Sequence, residues 1–194
     1  TEESPCDVTT QYQDGAFTYE MNQLHARRAE VPINLFRFAV PDFKTFEILI
    51  CDGPTGSWAT GVYWTFFNGE GIWIEGEASK WFSADTRAAI RRCHAVLREH
   101  RDAFTSGDVE PLVATAAGGI LANHFAVDGK EVWTLYNTRH RTYDGPVLRV
   151  PSRSGWRWHD AWNGAVPRVD VNDGADTIST TIAPHRVGCL VRER

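Results

Sequence analysis

Beyond Gly107 the chain is a train of short apolar runs cut by turn pairs, and few folds absorb such a train. The runs occupy 112–115, 119–127, 131–138, 146–150, 156–162, 166–171, 177–182 and 187–191. Asp128-Gly129, Asp144-Gly145, Asn163-Gly164 and Asp173-Gly174 separate many of them. Aspartate, asparagine and glycine tolerate the positive φ of tight primed turns, so Asp128-Gly129 between two apolar runs is a strong hairpin signal. Short strands at this spacing predict an antiparallel β-sandwich, with a domain boundary near 108–111.

The first part has another texture. Ser83 can accept from free amides at a helix start, and Gly107 suits the left-handed residue that closes one. Between them Ile90, Cys93, Leu97 and Phe104 recur at helical spacing. Ahead of this helix, 62–68 (VYWTFFN) reads as an aromatic strand and 33–40 as a largely buried strand interrupted by Asn34 and Arg37. Residues 43–51 suit either a strand or a helical turn, and 52–56 is a turn-rich break. Phe17, Met21 and Leu24, at steps of four and three after Asp14, suggest a short helix ended before Pro32. The alternation is that of βα units, so the whole chain is expected to be α+β, with domains 1–107 and 108–194.

A chain of 194 residues with eight Trp and ten Phe has ample material for packed cores. A net charge of -5 without a basic stripe gives no reason to expect a nucleic-acid partner. No apolar run approaches the ~20 residues of a membrane span. Cys6, Cys51, Cys93 and Cys189 lack ligand spacing, so no metal site and no cofactor are expected. Four cysteines allow two disulfides in a secreted protein, but Cys93, on an apolar helix face, and Cys189, in an apolar strand, favour free thiols. The chain starts at Thr1 without a signal peptide and reads as a processed chain or a fragment of something longer.

Several segments carry a resemblance: 68–73 (NGEGIW), 97–104 (LREHRDAF), 129–137 (GKEVWTLYN) and 182–189 (IAPHRVGC). With them the chain resembles the C-terminal part of a TIM-barrel glycoside hydrolase of the α-galactosidase or α-amylase type, with its appended β-sandwich. The resemblance implies terminal βα units of an incomplete (β/α) barrel, with 33–40 and 62–67 as the last two barrel strands and 83–104 as the last barrel helix. A full barrel takes eight βα units and typically ~250 residues, so this chain has room for about two. Enzymes of the α-galactosidase type carry their catalytic carboxylates on middle strands, which lie outside this chain. No catalytic residue is therefore assigned, and the rest of the barrel or a partner chain is the implied companion.

Barrel active faces lie at the carboxyl ends of strands. On the implied strands those ends are Asp42 and Lys44, then Asn68 and Glu70. Asp42, Asn68 and Glu70 could bond sugar hydroxyls, and Trp73, with Trp58 and Trp64, could offer an apolar face to a sugar ring. The plainer alternative is turn chemistry at Asn68-Gly69, a solvated Glu70 and tryptophans in a core. Asp42 with Glu70 is an imaginable carboxyl pair for glycosidic hydrolysis. In the second half, Trp156, Trp158 and Trp162 are either an exposed carbohydrate-binding platform or sandwich core, and core weighs more. His159-Asp160 has no nucleophile motif beside it. His94, His100 and His185 suit surface or capping positions. Two rival readings remain: a non-catalytic carbohydrate-binding module, and a partner-docking domain that uses exposed apolar strands.

Overall fold

Three parallel strands begin the described structure: β1 (Gly15–Tyr19), β2 (Lys44–Leu49) and β3 (Gly71–Ile74), in that order across one sheet. The computed structural model describes residues 8–19, 32–49, 58–74, 77, 80 and 82–194. By internal contacts the chain divides into two compact units, Thr1–Gly107 and Asp108–Arg194. Helix α1 (Leu35–Ala39) lies between β1 and β2, and α2 (Trp58–Phe67) between β2 and β3; α3 (Ala84–Glu99) and the short α4 (Arg101–Phe104) follow. Parallel strands need such crossovers, because a tight hairpin cannot return the chain in the same direction.

Three expectations are corrected here. Residues 62–68 form no strand: 58–67 is α2, closed by a Schellman motif in which Gly69 N bonds Phe66 O at 2.9 Å and Glu70 N bonds Thr65 O at 3.1 Å, with Gly69 at φ +64°. Val62, Thr65, Phe66 and Phe67 are all buried, and a run buried on most sides loses the periodicity that separates helix from strand. Residues 33–40 hold α1 instead of a strand; consecutive Arg37 and Phe38 are both buried, which a period of two does not explain. The helix expected after Asp14 begins as β1, and the rest of that segment, with the turn expected at 52–56, lies outside the described residues. The two barrel strands implied at 33–40 and 62–67 are thus helices, and the parallel strands are their neighbours. The ambiguous segment 43–51 supplies one of these, β2.

The long helix forms as read. Ser83 Oγ accepts from Thr86 N at 3.1 Å, and Thr86, Ala89, Ile90, Cys93 and Val96 line its buried stripe. The helix breaks at His100 before α4, short of Gly107. Burial pushes the Cys93 thiol well above its usual range, so it acts as a small hydrophobe. Cys93 and Cys189 are free and buried; Cys6 and Cys51 lie outside the described residues.

The second unit is antiparallel. One sheet runs β4 (Asp108–Glu110), β5 (Ile120–Val127), β6 (Lys130–Asn137), β11 (Val187–Glu193), β8 (Arg157–Asp160); the other runs β7 (Tyr143–Pro151), β10 (Ala175–Ile182), β9 (Arg168–Asn172). Ile120, Trp133, Leu135 and Leu190 of the first sheet share one core with Val147, Leu148, Ile178 and Ile182 of the second. Two inner faces meeting in one core is sandwich packing. The β9–β10 turn is Asp173-Gly174 with φ +52° and +70°, the primed geometry, whereas at Asp128-Gly129 only the glycine has positive φ. Two details differ from expectation. The first strand is 108–110 rather than 112–115. Asp144-Gly145 is no turn: it lies inside β7, where Gly145, at φ +151°, sits against the Tyr143 ring beside a register shift in β10. No helix among the described residues is long and apolar enough to cross a membrane.

Candidate functional site

In the first unit, the polar side chains singled out from sequence gather at the amino ends of the strands. Asn68 is fully buried: its Oδ1 accepts from Asn34 N at 2.8 Å, and its Nδ2 donates to Trp64 O at 2.8 Å and Pro32 O at 3.0 Å. Glu70, also buried, accepts from Asn34 Nδ2 at 2.6 Å. Because 58–67 is helical, both residues close α2 and precede β3, rather than following a strand at its carboxyl end. The physical reason is the Schellman turn at Gly69, which reverses the chain there.

Arg37 stands nearby, its Nη2 donating to Phe104 O at 2.6 Å. Burial lowers the pKa of its guanidinium, against the opposing charge of Glu70. Burial also lowers the pKa of the Lys44 ammonium, helped by Arg37 and opposed by Asp42; its Nζ donates to Pro41 O and Thr105 O, each at 3.2 Å. A pocket of about 160 Å³ opens here between Arg37, Lys44, Glu70, Arg101 and Phe104. Asp42 is exposed ahead of β2 and is not among the residues lining it. Asn34 and Arg37 were visible in the sequence only as polar interruptions of an apolar run.

Trp73 is elsewhere. Register and alternation put Phe17, Phe46 and Trp73 on one face of the parallel sheet, where Phe46 is 40% and Trp73 50% exposed. The Phe17 and Trp73 rings, from the two outer strands, approach to 5.3 Å across the middle one. Gly71 leaves the room that Phe46 occupies, since a Cβ there would stand 2.1 Å from the ring. Trp64 is half-buried, and the side chain of Trp58 lies outside the described residues.

The second unit holds one buried ionic cluster. Arg192 donates from Nε at 2.8 Å and Nη2 at 2.5 Å to Glu131 Oε2, and from Nη1 at 2.7 Å to Pro151 O on the other sheet. Its guanidinium carbon lies 5.2 Å from the Trp158 ring centre, 5.5 Å from Trp156 and 5.6 Å from Trp133. Burial opposes ionisation of Glu131, but the nearby His124, the hydrogen bonds from Arg192 and the charges of Arg192 and Arg153 outweigh it, holding the carboxyl below its usual range. Trp158 Nε1 donates to Asp176 Oδ2 at 2.9 Å. Trp156 and Trp158 therefore pack around a cation instead of forming an open platform. Asp160 accepts from Asn163 and Thr180 on the opposite strand face from His159, so the two make no catalytic pair. His94 Nε2 contacts Ile72 O at 3.2 Å, and His100, buried, joins α3 to α4. Among the described residues no group of three or more His, Cys, Asp or Glu could hold a metal ion.

No family model matches this chain, and no curated protein does. Solved structures do. An Anoxybacillus α-amylase, from work on a glycosyl hydrolase subclass, superposes with TM-score 0.58 at 12% identity, over 93% of this chain and 47% of that one. The α-amylase of H. orenii gives 0.61 at 9%, over 100% and 52%. A Bacteroides fragilis protein assigned to α-galactosidase/melibiase gives 0.58 at 9%, over 95% and 43%. The chain thus shares its fold with parts of glycoside hydrolase structures and spans about half their length.

Proposed function

We propose that this chain is the C-terminal part, or a subunit, of a carbohydrate-active glycoside hydrolase and has no catalytic activity alone. In this reading β1, β2 and β3 are the terminal strands of an incomplete (β/α) barrel, carbohydrate is the substrate of the completed protein, and Asp108–Arg194 is its C-terminal sandwich. The observation that carries it is a three-stranded parallel sheet with helical crossovers whose Phe46 and Trp73 stand half exposed. Parallel sheets are ordinarily covered on both faces, so this face calls for further structure. The inward lean of Phe17 and Trp73 suits the concave side of a curving sheet. The remaining barrel strands are the fitting cover, because the matched structures are about twice as long.

Asn68 and Glu70 then hold the frame at the amino-terminal side of the barrel, the side that stabilises rather than reacts. Trp73 would face the interior, and Asp42 the solvent. The catalytic carboxylates belong to strands outside this chain. The carbohydrate-binding-module reading loses support, since Arg192 occupies the space between Trp156 and Trp158.

Intact mass and light scattering on protein from its native source test the reading. It expects this sequence joined to, or bound by, the missing strands, with glycosidase activity in that assembly only. A stable, well-folded monomer of 194 residues acting alone would overturn it.

A further inference from the structure

The loops after β6 and after β10 bring two imidazoles together. His140 Nδ1 and His185 Nε2 stand 3.0 Å apart, with ring centres at 4.6 Å and planes at 75°. That separation is also the one found between neighbouring nitrogens on a single ion. At metal–nitrogen distances of about 2.0–2.1 Å, ligands roughly 90–109° apart lie about 2.8–3.4 Å from each other.

The pair rests on a shared support. Asn137, buried at the end of β6, donates from Nδ2 to Arg141 O at 3.0 Å, to Ile182 O at 3.0 Å and to Ala183 O at 3.1 Å. Its Oδ1 accepts from Arg139 N at 3.0 Å. One amide therefore ties the His140 loop to the His185 turn. His185 itself is held at φ +51°, an uncommon conformation for a residue with a side chain, of the kind kept where surrounding structure dictates it. His140 is exposed and His185 partly so, which leaves both open to solvent.

We propose that His140 and His185 form a two-histidine chelate for one divalent transition-metal ion of the zinc, nickel or copper class, the ions that imidazole suits. Without metal, the contact carries one N–H between the rings. On binding, that proton moves to the other nitrogen of its own ring and the side chains turn so that the two lone pairs converge on the ion from one side, while the backbone carbonyls and amide held by Asn137 stay in place. Water or a ligand oxygen completes the coordination, since the described residues supply no third side chain. Arg139, Arg141 and Arg186 flank the pair and oppose a cation. One of them is drawn away, Arg139 to Gly118 O and over the Tyr143 ring, whereas Arg186 Nη1 stays beside the pair on His185 O at 3.2 Å. The geometry thus points to a site weaker than a four-ligand structural zinc.

Calorimetric titration of the tag-free full chain with zinc chloride, and separately nickel chloride, at mildly alkaline pH tests this. Saturable one-site binding and a metal-dependent rise in Tm are expected. His140→Ala and His185→Asn should each weaken binding roughly tenfold or more, since even groups behind the ligands carry that much. Asparagine is chosen because it tolerates the left-handed conformation. If His185→Asn fails to fold, His140→Ala, at an exposed loop position, decides alone. Absence of saturation at millimolar metal, or equal binding by wild type and His140→Ala, would overturn the proposal.

Discussion

Glu131 and Arg192 are direct cross-strand partners on β6 and β11, and both donors of the guanidinium edge converge on the single oxygen Oε2. Arg192 is 2% exposed and reaches across to Pro151 O, so this pair joins the two sheets at one end of their shared core. Removing one member strands a buried charge, typically a loss of about 3–5 kcal/mol, whereas an apolar pair of similar volume is often neutral. Arg192→Met should therefore lower the urea midpoint sharply, and Glu131→Leu added to it should restore much of the loss. Additive losses in the double variant would refute this account.

The same pair sets a pH dependence. Glu131 has a folded pKa below its unfolded one, so its contribution is complete above the unfolded value of about 4.3 and fades as pH falls through the folded value. Unfolding free energy should drop from neutral pH to below pH ~4, and the drop should be shallower in Glu131→Gln. Identical slopes for variant and wild type would show that other carboxylates carry the effect.

Asn68→Ala separates a framing role from a sugar contact. It removes the acceptor of Asn34 N and two amide donors in a buried place, each stranded group typically worth about 1–3 kcal/mol. A fall in Tm of the chain alone, without any sugar, is expected. An unchanged Tm would return Asn68 to the list of ligand contacts.

Ser83→Ala should lose about 1 kcal/mol by leaving Thr86 N without its cap, while Ser83→Asp should keep the cap. Chemical denaturation monitored by circular dichroism reads both. Equal stability of the two variants would mean that the start of α3 is held by packing alone.

Phe46→Ser and Trp73→Ser test the open sheet face. In the isolated chain, both side chains are half exposed, so stability should change little and self-association, followed by light scattering, should fall. In the completed assembly, the same changes should weaken attachment of the missing strands. A large loss of stability in the isolated chain would mean that this face is already core.

Much of the second unit was legible because its turns are local chemistry. Asp128-Gly129, Asn163-Gly164 and Asp173-Gly174 fall at turns, with Gly129, Gly164 and Gly174 all at positive φ. The Ser83 start of α3 was legible for the same reason. Asp144-Gly145 misled because regular pairing of these two residues with Thr181 and Thr180 of β10 keeps that glycine inside a strand.

The sequence by itself determined the change of texture at Gly107, the antiparallel half and the long helix, since each follows from residues close together in the chain. Tertiary structure alone decided that 33–40 and 58–67 hold helices and that the parallel strands are 15–19, 44–49 and 71–74. Segments buried on most sides show no polar face, so nothing local distinguishes the two periods. It also decided where the polar groups meet: Asn34 on Asn68 and Glu70, Glu131 on Arg192, His140 on His185, at sequence separations no pattern spans. Those meetings follow from register and chain reversal, which only the packed fold supplies.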